Sequence, residues 1–129
     1  MKVISTPEAP EAIGPYAQAI EANGFIFCSG QLAINPASGE IEMVGAAEQM
    51  MRVLLNLRAV LEAAGSGLDR VVKTTLFLTD IGDFPAVNKV YGEMFGDHRP
   101  ARSTVQVARL PRCARVELEA IALKHKASN

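Results

Sequence analysis

The stretch AAEQMMRVLLNLRAVLEAAG, residues 46–65, followed by VVKTTLFL, residues 71–78, decides the fold of this chain. In the first part, apolar residues recur at spacings of three and four with charged residues between them, which predicts a helix with one buried face. Gly65 closes this helix, at the position where a left-handed residue is needed. The second part is β-branched and apolar with a single charge at Lys73, and it predicts a central strand.

Upstream of this unit the pattern predicts a hairpin. The segment Ala17–Ser29 is largely apolar and contains Asn23-Gly24, a pair that readily supplies the positive backbone angles of a tight turn. Residues 35–39 form a cluster of turn-forming residues and predict a loop. Residues 40–43 predict at most a short edge strand. Two antiparallel strands therefore precede the helix.

Downstream, the sequence predicts a second helix and two more strands. Asp83 is expected to cap the helix, with Pro85 tolerated in its first turn. Segments 102–108 and 114–124 have strand patterns. The predicted fold class is therefore α+β, with two helices packed on one face of a mixed sheet. The inward stripe of the second helix is Phe84, Val87, Tyr91, Met94 and Phe95.

Composition predicts one compact domain spanning residues 1–129. With 49% apolar and 21% charged residues the chain can bury a core, and its formal charge of -1 offers no footprint for nucleic-acid phosphates or anionic lipid. No signal-peptide pattern opens the sequence, and no apolar run approaches the roughly 18 residues that span a membrane. We therefore predict a cytoplasmic protein with neither nucleic acid nor membrane as a partner.

Standard catalytic motifs are missing from the sequence. There is no glycine-rich phosphate loop, no nucleophile elbow, and no paired Cys or His spacing for zinc, so no metal site is predicted. His98 and His125 stand alone and are expected to be solvated surface residues. Cys28 follows an apolar run and is predicted to be a small core residue, whereas Cys113 is predicted to be an incidental surface thiol.

Arg102 is a candidate binding residue. It begins a predicted strand and shares one face of it with Thr104 and Gln106. A planar, permanently charged guanidinium in a pocket binds a carboxylate through two parallel hydrogen bonds. Arginines at strand ends also commonly form structural salt bridges with nearby acids. The pattern alone leaves both interpretations open.

Other polar residues occur where the pattern predicts burial. Glu117 and Glu119 share one face of the last strand, where a partly buried carboxylate of raised pKa would suit proton transfer, or where charge would simply oppose edge aggregation. Spacing does not choose between them. Asn88 interrupts an apolar helical stripe and bonds either core backbone or a ligand. Tyr16 and Ser29 flank turn-forming residues that could present a hydroxyl to a cleft.

Taken together, these motifs resemble those of the Rid family (also called YjgF) of reactive intermediate deaminases along nearly the whole chain. Several ordered motifs at the right separations are more specific than any one of them. The segments that carry the resemblance are 12–16 (AIGPY), 29–31 (SGQ), 72–75 (VKTT), 83–84 (DF) with 87–88 (VN), 100–103 (PARS), 107–111 (VARLP) and 117–122 (ELEAIA).

The resemblance implies a chorismate-mutase-like (YjgF-like) fold assembled as a homotrimer, with helices outside and active sites in clefts between subunits. It implies that Arg102 holds a substrate carboxylate and that Glu117, rather than Glu119, positions or activates a hydrolytic water. Gly30 and the backbone of Thr104 would supply further hydrogen bonds. The other residues expected to line the cleft are Tyr16, Ser29 and Asn88.

The implied substrate is 2-aminoacrylate or its imine tautomer 2-iminopropanoate, hydrolysed to a 2-keto acid and ammonia. A free imine is already electrophilic, so a carboxylate clamp, a placed water and one proton-transfer group suffice, and no cofactor is expected. Two departures bear on the cleft: Thr104 stands where several relatives have cysteine, and segment 95–100 is shorter than in some relatives. These leave the shape of the cleft, and with it the range of substrates, open.

Two other functions are compatible with the resemblance. One is a non-catalytic trimer that binds carboxylate metabolites in the same cleft or acts like a chaperone. The other is a ribonuclease or translation inhibitor. Near-zero net charge and the lack of a basic, aromatic stacking platform argue against the second.

Overall fold

A computed structural model of the chain describes residues 1–126 and contains a six-stranded mixed sheet with two helices on one face. This confirms the predicted α+β class. The strands lie in the order β1-β2-β3-β6-β4-β5, with β4 and β5 parallel and every other neighbouring pair antiparallel. The elements are β1 Lys2–Ile4, β2 Ala19–Ala22, β3 Phe25–Gln31, α1 Ala46–Ala63, β4 Val71–Leu78, α2 Phe84–Phe95, β5 Ala101–Gln106 and β6 Val116–Leu123.

The strongest local patterns are confirmed. Asn23 and Gly24 have φ angles of 52° and 78° and join β2 to β3 as a tight turn. Helix α1 buries the predicted apolar face, and Gly65 follows its last turn with a φ of 75°. Strand β4 has the predicted bounds and lies between β5 and β6.

Some local features add to the sequence prediction or differ from it. Residues 2–4 form β1 against β2, because an edge strand of three residues is too short to show a periodic pattern. Asp83 makes no side-chain cap on α2; instead the Asp80 carboxylate accepts from the Gly82 backbone N–H at 2.8 Å and caps the short 3-10 turn that leads into the helix. Strands β5 and β6 are each shorter than predicted, and residues 40–43 contribute only a single bridge, between Ile34 and Ile41.

Two buried side-chain amides on α1 hold neighbouring loops in place. Asn56 Nδ2 donates to the carbonyl oxygens of Leu32 at 3.1 Å and Ile34 at 2.9 Å. Gln49 Oε1 accepts from the backbone N–H of Arg115 at 2.9 Å. Buried amides must find such partners, and here they fix the segment that follows β3 and the residue that precedes β6.

The sheet has one covered face and one open face. Its covered face packs on α1 and α2 and contributes Leu76 and Leu118 to the core, both fully buried. On the open face, Phe27 is 45% exposed and Val105 is 41% exposed. Phe25, 38% exposed, lies beside Phe27 with ring centroids 6.2 Å apart, so β3 places two large apolar side chains together on this face. Among residues 1–126, no helix is long and apolar enough to cross a membrane.

Candidate active site

Arg102 lies on the covered face of the sheet, beneath α2. The parallel register places it beside Thr74 of β4. Its Nη1 donates to Asn88 Oδ1 at 2.8 Å, and its guanidinium carbon lies 5.3 Å from the ring centroid of Phe84 and 4.7 Å from that of Tyr91. Residues 84, 88 and 91 fall on one face of α2, so a single helix surface surrounds the guanidinium.

The partners of Arg102 are all neutral. In the part of the chain that the structure describes, ion pairs join Arg52 to Glu42, Arg112 to Glu40 and Lys124 to Glu21, and none includes Arg102. Within residues 1–126 the structural salt bridge that the sequence left open is therefore not formed. A half-buried guanidinium without a carboxylate partner attracts an anion.

Glu117 lies in a different place, on the open face of the sheet. It lines a cavity of about 790 Å³ together with Tyr16, Ser29 and Gly30, so four of the predicted site residues share one cavity. The apolar part of the wall is formed by Ile13, Leu32, Ile34 and Pro111.

Glu117 and Glu119 differ in environment, which the spacing did not show. Glu117 is half-buried, and burial, followed by the nearby negative charge of Glu119, raises its pKa above the ordinary glutamate value. Glu119 is exposed. A carboxyl group with a raised pKa exchanges protons closer to neutrality, and of the two glutamates Glu117 has this half-buried setting.

Gly30 allows Glu117 to pack against β3. The pairing of β3 with β6 shifts between Cys28 and Gln31, and this irregularity brings the Gly30 backbone against the carboxylate. A Cβ at Gly30 would lie 2.6 Å from Glu117 Oε2 and 2.8 Å from its Cδ. A larger residue here would therefore force the Glu117 side chain to move.

Ser29 and Tyr16 are linked through the backbone. Ser29 Oγ donates to the carbonyl oxygen of Ala17 at 2.6 Å, and the Ser29 backbone N–H donates to the backbone carbonyl oxygen of Gln18 at 3.0 Å. The Ser29 hydroxyl proton is thus used to hold the segment that follows Tyr16. Tyr16 is 55% exposed, with its ring at the cavity.

The two groups of predicted residues lie on opposite faces of the sheet. Thr74 pairs with Arg102 and Phe77 pairs with Glu117, and side chains alternate between faces along a strand. Asn88, on α2, joins Arg102 on the covered side, and Thr104 lies two residues along β5 on the same face. Tyr16, Ser29, Gly30 and Glu117 share the open side. A single chain therefore does not bring Arg102 and Glu117 around one ligand.

His98 differs from its prediction, whereas His125, Cys28 and Cys113 agree with theirs. His98 was expected to be solvated, but it is half-buried with its Nε2 2.6 Å from the Val71 carbonyl oxygen, where it holds the loop before β5. His125 is exposed, as predicted. Cys28 is buried, which raises the pKa of its thiol to about 12 and confirms it as a core residue. Cys113 is exposed, as predicted.

The contact of Phe84 and Tyr91 with Arg102 was missed by sequence reasoning, which placed both rings only in an inward stripe. The sequence signal that could have revealed this contact is the spacing of both rings from Asn88 along α2. Among residues 1–126, no group of three or more His, Cys, Asp or Glu side chains is placed to hold a metal ion.

Comparison with known proteins gives consistent matches along the chain. The endoribonuclease L-PSP family model matches residues 6–124. A RutC family protein of Pyrococcus abyssi is 50% identical over 123 residues, which cover 95% of this chain and 97% of that protein. The 2-iminobutanoate/2-iminopropanoate deaminase of Mus musculus is 48% identical over 123 residues, covering 95% of this chain and 91% of the deaminase. The crystal structure of E. coli TdcF with bound serine superposes with a TM-score of 0.92 at 41% identity, covering 97% of this chain and 100% of TdcF.

Proposed function

The chain belongs to the endoribonuclease L-PSP family, which is the Rid/YjgF family that its motifs resemble, and on that basis we propose that it hydrolyses reactive imines and enamines of amino acids. The substrates are 2-aminoacrylate and its tautomer 2-iminopropanoate, and the products are a 2-keto acid and ammonia. The relatives named 2-iminobutanoate/2-iminopropanoate deaminase support this reaction. A cytoplasmic location and the absence of a cofactor are part of the same proposal.

The observation that carries the proposal is the neutral setting of Arg102. Its guanidinium contacts the amide of Asn88 and two aromatic rings instead of an acid. The guanidinium is therefore available to bind the carboxylate that every 2-imino acid contains. The serine bound to TdcF, itself an amino acid with a carboxylate, is consistent with such a ligand.

We further propose that the protein is a homotrimer whose cleft joins Arg102 of one chain to Glu117 of the next. The opposite placement of the two residues in one chain supports this, because a shared ligand then needs a second copy. The exposed apolar side chains on the open face, among them Phe27 and Val105, support burial against neighbouring subunits.

In the proposed reaction, Arg102 holds the carboxylate and Glu117 acts on water. The water oxygen bonds to the imine carbon, the C=N π electrons move to nitrogen, and Glu117 accepts a proton from the water and passes it to that nitrogen. The carbinolamine then collapses: Glu117 accepts its hydroxyl proton and passes that proton to the nitrogen, the C–N bond breaks as the C=O bond forms, and ammonia departs. Backbone groups of Gly30 and Thr104 supply further hydrogen bonds to the substrate, and Tyr16, Ser29 and Asn88 line the cleft.

The direct test is to generate the imine in place and follow its hydrolysis. A pyridoxal-phosphate-dependent dehydratase acting on serine releases 2-aminoacrylate, and 2-keto acid formation is recorded with and without this protein. We expect the protein to accelerate keto-acid release and Arg102→Ala to remove the acceleration. No acceleration would contradict the proposal. Cleavage of RNA by the purified protein, abolished by the same substitution, would instead support the activity in the family's name.

The pH dependence of the reaction is predicted to report Glu117. As the proton acceptor it must be ionised, so kcat/KM should fall as the pH drops through the pKa of Glu117, which burial raises from the ordinary glutamate value. Glu119→Gln removes a nearby negative charge, which lowers the pKa of Glu117 and should move this acid limb to lower pH. A pH profile of kcat/KM for both proteins checks this; a limb that stays in place or moves to higher pH would argue against the assignment.

Gly30→Ala is predicted to reduce activity by about 100-fold, since a displacement of the reacting group by about 1 Å has effects of that size. The added Cβ would lie 2.6 Å from Glu117 Oε2 and would displace the carboxylate. The control is the same change in a Glu117→Gln background, where little further loss is expected because both substitutions act on one group. Additive losses would show that Gly30 acts independently of Glu117.

A further inference from the structure

One face of α2 forms an aromatic clamp around Arg102. Phe84 and Tyr91 place their ring centroids 5.3 Å and 4.7 Å from the guanidinium carbon, and Asn88, between them on the helix, accepts from Nη1 at 2.8 Å. A cation over an aromatic face is attracted by the ring quadrupole, and the weakly hydrated guanidinium stacks well on such faces. Phe84 and Tyr91 together form this aromatic clamp.

The Tyr91 ring is fixed in its orientation by buried neighbours. Its hydroxyl shares a hydrogen bond of 2.8 Å with Thr74 Oγ1, and Thr74 is fully buried directly beside Arg102 in the sheet. Phe95 packs against the Tyr91 ring with centroids 4.6 Å apart. Two separate contacts, the buried hydrogen bond and the packing of Phe95, hold the ring beside the guanidinium, and the loss of either one leaves the other in place.

We infer that Phe84 and Tyr91 are positioning residues that set the affinity of Arg102 for a carboxylate ligand. The inference rests on the proposed function for the identity of that ligand. Because the clamp is neutral, it does not offset the positive charge of the guanidinium, whereas a neighbouring carboxylate would compete with the ligand. Because the rings and Asn88 restrict its movement, the guanidinium loses less conformational freedom when the ligand binds.

The test measures binding separately from catalysis. Pyruvate, which contains the carboxylate of the proposed product, is titrated into the protein by calorimetry, and thermal unfolding verifies that each variant is folded. Tyr91→Leu and Phe84→Leu are expected to raise the Kd for pyruvate about five- to tenfold, the size of a partly desolvated cation–π contact. Tyr91→Phe keeps the ring and should stay within about twofold of the wild type. In turnover, Tyr91→Leu should raise KM with little change in kcat.

The matched control is Phe95→Leu. Phe95 is as buried as Tyr91, at 6% against 5% exposed, and it packs on the Tyr91 ring, while Arg102 lies over the rings of Phe84 and Tyr91. We expect this variant to lose stability but to bind pyruvate within about twofold of the wild type. A loss of binding equal to that of Tyr91→Leu would show that core packing, and not the ring over the cation, is responsible.

Three further results would overturn the inference: wild-type affinity in Tyr91→Leu, equal weakening in Tyr91→Phe and Tyr91→Leu, or no binding of pyruvate by the wild type. Failure of the proposed function gives a different result. In that case the wild type binds pyruvate and the clamp variants weaken binding, but none of the proteins accelerates imine hydrolysis.

Discussion

Arg102→Ala is expected to lower kcat/KM for 2-iminopropanoate by about 1,000-fold, because truncating one partner of a buried, hydrogen-bonded charge pair costs roughly 2–5 kcal/mol. The guanidinium has no acidic partner among residues 1–126, so it is free to bind the substrate carboxylate. Steady-state rates with imine generated in place measure the loss. Most of it should fall on KM, since the carboxylate is bound in both the ground and the transition state.

Two matched substitutions sharpen this prediction. Arg102→Lys keeps the charge but not the planar fork, and it should recover only part of the activity. Arg58→Ala removes one positive charge from an exposed position on α1 and should leave the rate unchanged. If Arg102→Ala behaved like Arg58→Ala, the guanidinium could not be the group that binds the carboxylate.

Glu117→Gln is expected to lower kcat by about 100- to 10,000-fold, the usual contribution of a positioned proton-transfer group. The substitution preserves size and hydrogen-bonding capacity but removes the ability to accept a proton from water. KM should change little, because the carboxylate of the substrate is bound elsewhere. Rates measured at saturating substrate separate this loss from a binding defect.

Glu119→Gln is the matched control for this substitution. It makes the same chemical change two residues away on the same face of β6, at an exposed side chain. We expect Glu119→Gln to move the acid limb of the kcat/KM profile to lower pH and to keep kcat within about tenfold of the wild type. A greater loss in Glu119→Gln than in Glu117→Gln would reverse the assignment of the two glutamates.

The sequence predicts those parts of the fold that depend on local periodicity. Helix α1, strand β4 and the Asn23-Gly24 turn follow from the spacing of apolar residues and from turn chemistry. Strand β1 could not be predicted, because its three residues are held only by pairing with β2. The capping of the turn before α2 by Asp80 instead of Asp83 depends on a backbone geometry that the residue types do not specify.

For the site, the residue pattern left each candidate with two interpretations, and the family resemblance selected among them. The neutral surroundings of Arg102 could be seen only in the structure, because the distance from its guanidinium to an acid depends on contacts between segments far apart in the sequence. The separation of Arg102 from Glu117 required the registers of β5 and β6 against β4. A shift of one residue in either pairing would reverse the face on which the side chain lies, and local sequence does not fix that register.

We propose above that Arg102 and Glu117 act on one substrate from different chains. The most direct measurement mixes Arg102→Ala and Glu117→Gln proteins, each nearly inactive alone, by refolding them together at equal concentration. In randomly mixed trimers with one site per interface, about a quarter of the sites combine an intact Arg102 with an intact Glu117, so about a quarter of the wild-type activity should return. Activity no higher than that of the separate variants, in trimers shown to have mixed, would contradict a site shared between chains.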